Sequence, residues 1–173
     1  LEKELPTLLI LGGGTGALKI NQLILEILPE LTKFCQVIHL VGKGKFPVSS
    51  FQFPISNRYH HFEFLNKEIA DAYAVADLVI SRAGINVLTE LSVLGKPAII
   101  IPIPDSHQEE NAKYFAGKNA VVVLDQRELT GEKLLEEIKK LLNDQKKRDQ
   151  LRENIKKLLP KDAAEKIIAQ TPI

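Results

Sequence analysis

Short apolar runs alternate with amphipathic stretches of helical period along most of this chain. No other feature narrows the possible folds as far. Thr7-Leu8-Leu9-Ile10-Leu11 is a nearly continuous apolar run that ends in glycines, as a strand buried on both faces would. Beyond Gly12-Gly13-Gly14-Thr15-Gly16, the residues Leu18, Leu23, Ile24, Ile27 and Leu28 recur at helical spacing as far as Pro29. Further strands are predicted over Val37–Val41, His60–Leu65, Asp77–Ser81, Ala98–Ile101 and Ala120–Leu124. Between them the pattern predicts a helix over Lys67–Val75 capped by Asn66, and one over Asn86–Leu94 stopped by Gly95. A third runs over Ser106–Ala116, followed by Gly117, and a fourth runs from the cap Thr130 into Leu142. Two polar helical segments separated by Pro160 close the chain, and residues 46–58, with Pro47, Pro54 and several serines, read as loop.

Strands alternating with helices require right-handed crossovers and a parallel sheet covered on both faces. Six strands in this rhythm fit a doubly wound, Rossmann-like α/β sheet of order 3-2-1-4-5-6. The first and fourth strands are then neighbours, and the chain reverses direction between them. Ligands bind in the crevice at the carboxyl ends of such a pair. The loops Gly12–Ala17 and Arg82–Asn86 are therefore predicted to face each other across one site.

Composition excludes several other classes. The 173 residues suffice for a single domain spanning the chain, and 45% hydrophobic against 26% charged residues is the balance of a soluble globular core. Lys+Arg number 23 against 22 Asp+Glu, so the basic excess of a nucleic-acid binder is missing. Cys35 is the lone cysteine, which rules out an intrachain disulfide and points to a reducing compartment. No apolar run approaches the ~20 residues of a membrane span, and the first residues do not resemble a signal peptide. The chain holds no methionine, so Leu1 reads as a position inside a longer protein.

Three loops carry the chemistry. Gly12, Gly14 and Ala17 satisfy a permissive G-x-G-x-x-A pattern between strand and helix, where backbone amides can approach an anion closely. The bland alternative is a tight turn without a ligand. A nicotinamide site would want an acidic residue closing the second strand, whereas this strand ends in Leu40-Val41-Gly42 followed by lysines. Lys19 lacks the glycine spacing of a P-loop. In the second loop, Gly84 and Ile85 open a helix whose amides would hold a second phosphate oxygen. Arg82 either neutralises phosphate or pairs structurally with an acid; Glu90 either accepts both hydroxyls of a ribose or is a solvated surface glutamate. In the third segment His107, Gln108 and Asn111 share one side of the first helical turns, and neutral donor-acceptor groups there suit sugar hydroxyls. His60 and His61, adjacent on a strand, point to opposite faces and cannot chelate one metal. No D-x-D pair, cysteine cluster or H-E-x-x-H is present, so no metal site is expected. The helices over Glu132–Lys157 interleave glutamates with lysines, which reads as a solvated face.

Taken together, these segments resemble the C-terminal domain of the bacterial MurG-type N-acetylglucosaminyltransferases of peptidoglycan synthesis. The resemblance rests on Gly12-Gly13-Gly14-Thr15-Gly16-Ala17 with Asn21, Ser81-Arg82-Ala83-Gly84 with Glu90-Leu91, Gly95-Lys96-Pro97, and His107-Gln108 with Asn111-Ala112. Phe64-Leu65, Ala72-Tyr73 and Ala76-Asp77 extend it over nearly the whole chain. It implies half of a two-domain, GT-B type enzyme that moves N-acetylglucosamine from UDP-N-acetylglucosamine, with inversion, to a lipid-linked muramyl-pentapeptide. That step would serve cell wall biogenesis, and through it cell shape and division, in the cytoplasm on the inner face of the cell membrane. It also implies a diphosphate held by Gly13, Gly14, Thr15, Gly16, Arg82, Gly84 and Ile85, and a nucleoside held by Leu65, Ile69 and Glu90. The sugar would meet His107, Gln108 and Asn111, with no cofactor besides the donor substrate. The general base and the acceptor site would belong to an N-terminal domain that this chain does not hold, toward which its closing helices would pack. The pattern departs from the family at Gly14, where serine is usual, at Val87, where threonine is frequent, and in a shorter turn from Pro102 to His107. Two alternatives share these loops: the catalytic subunit of a split transferase, and a nucleotide-sugar-binding module without activity.

Overall fold

Leu8 and Ile10 point to one face of the first strand and Leu9 and Leu11 to the other, and this alternation organises the molecule into two cores. The computed structural model describes residues 1–12, 17–45 and 56–159. Its sheet has six strands: β1 (Thr7–Leu11), β2 (Gln36–Leu40), β3 (Tyr59–Phe62), β4 (Leu78–Ser81), β5 (Ala98–Ile100) and β6 (Val122–Val123). All pairings are parallel and the order is β3-β2-β1-β4-β5-β6, as the alternation requires. β1 sits at the centre, with Leu8 level with Val37 of β2 and Leu78 of β4. Asp77 anchors that register from below, since its carboxylate accepts from Thr7 N at 2.8 Å and its own N–H donates to Thr7 O at 2.9 Å.

On one face Leu8, Ile10 and Ile80 pack against α1 (Leu18–Leu31) and α5 (Gly131–Asn143). On the other, Leu9, Val79 and Ile100 pack against α2 (Ile69–Val75), α3 (Ile85–Leu94) and α4 (His107–Gly117). In α6 (Gln145–Lys156) Leu151 joins the first core and Ile155 the second, so this helix fastens the two layers together. Truncating a fully buried leucine or isoleucine in either layer to alanine typically costs about 2–5 kcal/mol.

The helix ends show where local chemistry decides. Ser106 and Thr130 cap α4 and α5, each hydroxyl accepting a backbone N–H of the first turn at 3.2 Å. Gly95 ends α3 in the left-handed region, at φ 63°. Four expectations are corrected. α1 runs through Pro29 to Leu31, because a proline near a helix end forfeits a single hydrogen bond. Asn66 does not cap α2; the helix starts at Ile69 after a turn, without a side-chain cap. α4 retains Gly117 as its last residue, and the positive φ beyond it belongs to Asn119, at 52°. β3 stops at Phe62 and β6 is two residues long, since edge strands have one neighbour to pair with. Residues 46–55 of the predicted loop at 46–58, and the chain from Pro160 onward, lie outside the described residues. Among the described residues no helix is long and apolar enough to cross a membrane.

Candidate nucleotide-sugar site

Two clefts open at the carboxyl ends of β1 and β4, and both are lined by Gly12 and Val87, so they lie side by side as the two halves of a trough. This is where the reversal of strand order places a ligand crevice. The two halves differ in chemistry.

The first cleft, of about 420 Å³, is walled by Phe64, Leu65, Ile69 and Tyr73, with Glu90 on its rim. Phe64 leaves 59% of its surface exposed, an aromatic face with no core to bury it. Tyr73 is buried in the second core, and its hydroxyl donates to Glu90 Oε2 at 2.7 Å. Burial, and then the neighbouring carboxylate, hold the Tyr73 phenol far above its ordinary range, so it stays a donor. Glu90 Oε1 makes no hydrogen bond to any described residue. The predicted nucleoside residues Leu65, Ile69 and Glu90 thus share one cavity.

The second cleft, of about 500 Å³, is ringed by Lys19, Lys45 and Arg82 and has no acidic residue among its described lining. Both α1 and α3 begin on its wall without a side-chain cap. The first intrahelical bonds are Asn21 N to Ala17 O and Leu88 N to Gly84 O. The amides of Leu18 and Lys19, and of Ile85 and Asn86, are therefore left without helical partners at the cleft. Each helix start adds a partial positive charge. Gly84 caps α3 at φ −67°, and a Cβ there would meet nothing within 4 Å, so neither backbone nor packing requires glycine. The space it leaves faces the cleft. Leu18, placed by the helical pattern with the apolar face of α1, is 54% exposed and lines this cleft instead. Gly13, Gly14, Thr15 and Gly16 lie outside the described residues.

Arg82 has structural partners that differ from the predicted acid. Its Nη1 donates to Ile101 O at 3.0 Å and Pro102 O at 3.2 Å, and Nη2 donates to Gln126 Oε1 at 2.6 Å. It pairs with carbonyls rather than an acid, half-buried beside the cleft, and burial lowers its pKa from the usual value. The third segment is also partly structural. Gln108 Oε1 accepts from Ala83 N and Ile103 N, both at 3.2 Å, and Asn111 Nδ2 donates to Ala83 O at 3.0 Å. Ala83, the residue before Gly84, is thereby gripped from α4 at both its N–H and its carbonyl. Gln108 lines the second cleft, whereas His107 stands exposed at the start of α4 and Asn111 lies one turn further on.

One network was not read from the pattern. His39, fully buried in β2, bridges Tyr59 Oη and Asn21 Oδ1, each at 3.0 Å from a ring nitrogen. Asn21 Nδ2 donates to Val41 O at 2.9 Å and Lys45 O at 3.3 Å, which fixes its amide orientation. Its oxygen must then accept from His39 Nε2, so Nδ1 is the bare nitrogen and the Tyr59 hydroxyl donates to it. Burial, with a smaller contribution from the nearby His61, pushes the His39 pKa down to about 3, so the ring stays neutral. The network ties the turn after β2 to α1. Glu63 Oε1 holds the same turn from the other side by accepting from Gly44 N at 3.0 Å. Lys43 and Lys45 on this turn reach the first and second clefts respectively. A histidine inside an apolar strand, and Asn21 on the buried side of α1, were the signals that could have revealed it.

Among the described residues no group of three or more His, Cys, Asp or Glu is arranged to hold a metal ion. Comparison with known proteins places the chain in a family. Residues 7–169 match the family described as the glycosyltransferase family 28 C-terminal domain. The chain is 40% identical over 168 residues to a UDP-N-acetylglucosamine--N-acetylmuramyl-(pentapeptide) pyrophosphoryl-undecaprenol N-acetylglucosamine transferase of Legionella pneumophila, covering 95% of this chain and 45% of that protein. It is 39% identical over 169 residues to the protein of the same name from Lachnoclostridium phytofermentans, covering 95% and 46%. The chain thus spans about half the length of the curated relatives it matches. The crystal structure of MurG from Acinetobacter baumannii superposes with a TM-score of 0.80 at 23% identity, over 98% of this chain and 50% of that one, a likeness of fold. By the family match along nearly its whole length, this chain belongs to the glycosyltransferase family 28 C-terminal domains.

Proposed function

We propose that this chain is the donor-binding half of an inverting hexosyltransferase that passes N-acetylglucosamine from UDP-N-acetylglucosamine to a lipid-linked muramyl-pentapeptide in peptidoglycan synthesis. The observation that carries the reading is the division of one trough into an apolar, carboxylate-rimmed half and an electropositive half at the sheet's reversal point. A nucleoside diphosphate has the same division. The base would lie against Phe64, Leu65 and Ile69, and the ribose hydroxyls would donate to Glu90. The diphosphate would rest on the open amides of α1 and α3, near Lys19, Lys45 and Arg82. Gly13, Gly14, Thr15 and Gly16 would join in binding it. Each helix start favours such an anion by about 0.3–1 kcal/mol, up to ~2 where partly buried. The sugar would extend toward Gln108 and the start of α4, with His107 and Asn111 at its edge.

As an acceptor hydroxyl attacks the anomeric carbon, the bond to the β-phosphate oxygen breaks and the nucleoside diphosphate leaves with added negative charge. Dipoles already aimed at the phosphates stabilise that charge without reorganising. The acceptor hydroxyl and the base that takes its proton would be supplied by the part of the relatives that this chain does not span. The lipid-linked acceptor would bring the assembled enzyme to the inner face of the cell membrane. Donor UDP-N-acetylglucosamine is then the single small molecule the chain must hold, without a resident cofactor.

Calorimetric titration of the chain with UDP, UDP-N-acetylglucosamine and NAD tests this directly. UDP and its sugar should bind and NAD should not. Saturable NAD binding with no response to either uridine nucleotide would overturn the reading.

A further inference from the structure

Glu90 is exposed on α3, and a free glutamate there would wander through many rotamers. Its Oε2 is instead held at 2.7 Å by the hydroxyl of Tyr73, whose ring is 4% exposed and packed in the core with Ala72, Ala76 and Val79. The carboxylate is thus anchored to the core through α2, across the mouth of the first cleft, with Oε1 left to accept. From this geometry we infer that Tyr73 is a positioning residue that presets Glu90 to accept from a ribose diol, and so makes the site select ribonucleotides over deoxyribonucleotides. The inference rests on the donor-site reading above and adds to it the residue that makes the selection work.

The physical reason is that a carboxylate fixed before the ligand arrives loses little entropy on accepting from a diol. A ligand without those hydroxyls neither gains from the tether nor needs it. Removing the phenol oxygen should therefore weaken a ribonucleotide and leave its dideoxy counterpart alone. Tyr73→Phe keeps the ring in its core place and deletes the hydroxyl that donates to Glu90.

The test measures dissociation constants of UDP and 2′,3′-dideoxyuridine diphosphate for the wild-type chain and Tyr73→Phe, with thermal melts of both. The wild type should prefer UDP by roughly tenfold, the scale of a hydrogen bond to a charged group. Tyr73→Phe should lose most of that preference through weaker UDP binding, with the dideoxy constant unchanged within about twofold. Equal weakening of both nucleotides would make Tyr73 a mere structural support and overturn the inference, as would an unchanged preference. Should Tyr73→Phe lose its fold, 4-fluorophenylalanine at position 73 breaks the same tether, since its fluorine fills the place of the oxygen and donates nothing to Glu90. It must show the same collapse of preference, and a preserved preference there also overturns the inference. If the wild-type chain binds neither nucleotide, the donor-site reading itself has failed, a result distinct from all of these.

Discussion

His39 stays neutral where it is buried, and this makes the folded chain sensitive to acid. Its pKa is pushed down to about 3 from the ordinary 6.5, so below pH 6.5 the unfolded chain takes up a proton that the native chain refuses. Stability attributable to this residue is therefore intact above pH 6.5 and falls as pH drops toward 3, by about 1.4 kcal/mol per unit at most. Urea unfolding at pH 7 and pH 5 should show the wild type losing more stability than His39→Gln, the variant having no imidazole to protonate. Equal losses would mean that some other group governs acid sensitivity. Little of this was legible beforehand. Histidine and asparagine each stand out as polar in an apolar setting, but their pairing depends on β2 lying beside β1 while α1 packs across both. Glu90, by contrast, was legible as a candidate, because it follows a glycine-started helix by two turns. Its tether to Tyr73 was not, since that contact joins separate helices.

At the scale of the element, two glycines flank α3 for unrelated reasons. Gly95 sits at φ 63°, where a side chain is strained, and a Cβ there would also run into Lys156. Gly84 has ordinary backbone angles and open space around it. Gly95→Ala should lower stability by about 1–2 kcal/mol and leave nucleotide affinity alone. Gly84→Asp should do the reverse: its carboxylate caps the open amides of α3 and raises stability by roughly 0.5 kcal/mol, while it displaces the diphosphate and weakens UDP at least tenfold. Melting curves and titrations on the pair check both halves, and a loss of fold in Gly84→Asp would disprove the separation. The elements themselves were well marked wherever a local device sets them, as at Ser106, Thr130 and Gly95. They were misplaced where tertiary packing decides. Pro29 is tolerated because α1 is already held on the sheet by Ile20, Ile24 and Ile27, and β3 ends early because the sheet ends beside it.

For the whole molecule, the order of strands and the position of the crevice were legible because right-handed crossovers leave few alternatives. The electropositive character of one cleft was not, since a net charge of +1 hides how Lys19, Lys45 and Arg82 gather from three elements. It has a measurable signature. UDP at 100 times its dissociation constant should stabilise the chain by about 2.7 kcal/mol. That gain should shrink as salt rises from about 0.05 to about 0.5 M, because the lysines are screened. Uridine alone should show no such dependence, and a UDP shift indifferent to salt would place the phosphates elsewhere.

The double grip on Ala83 from α4 bears on any attempt to retune this scaffold by segment exchange. Because Gln108 and Asn111 hold Ala83, from which α3 springs, the groups proposed to meet the sugar and those proposed to meet the phosphates form one mechanical block. A graft that imports α4 to alter sugar preference must carry residues 82–84 and the intervening turn with it. Swapped alone, the new helix would tilt the neighbouring amides off the pyrophosphate, and a change meant for one subsite would be felt in both.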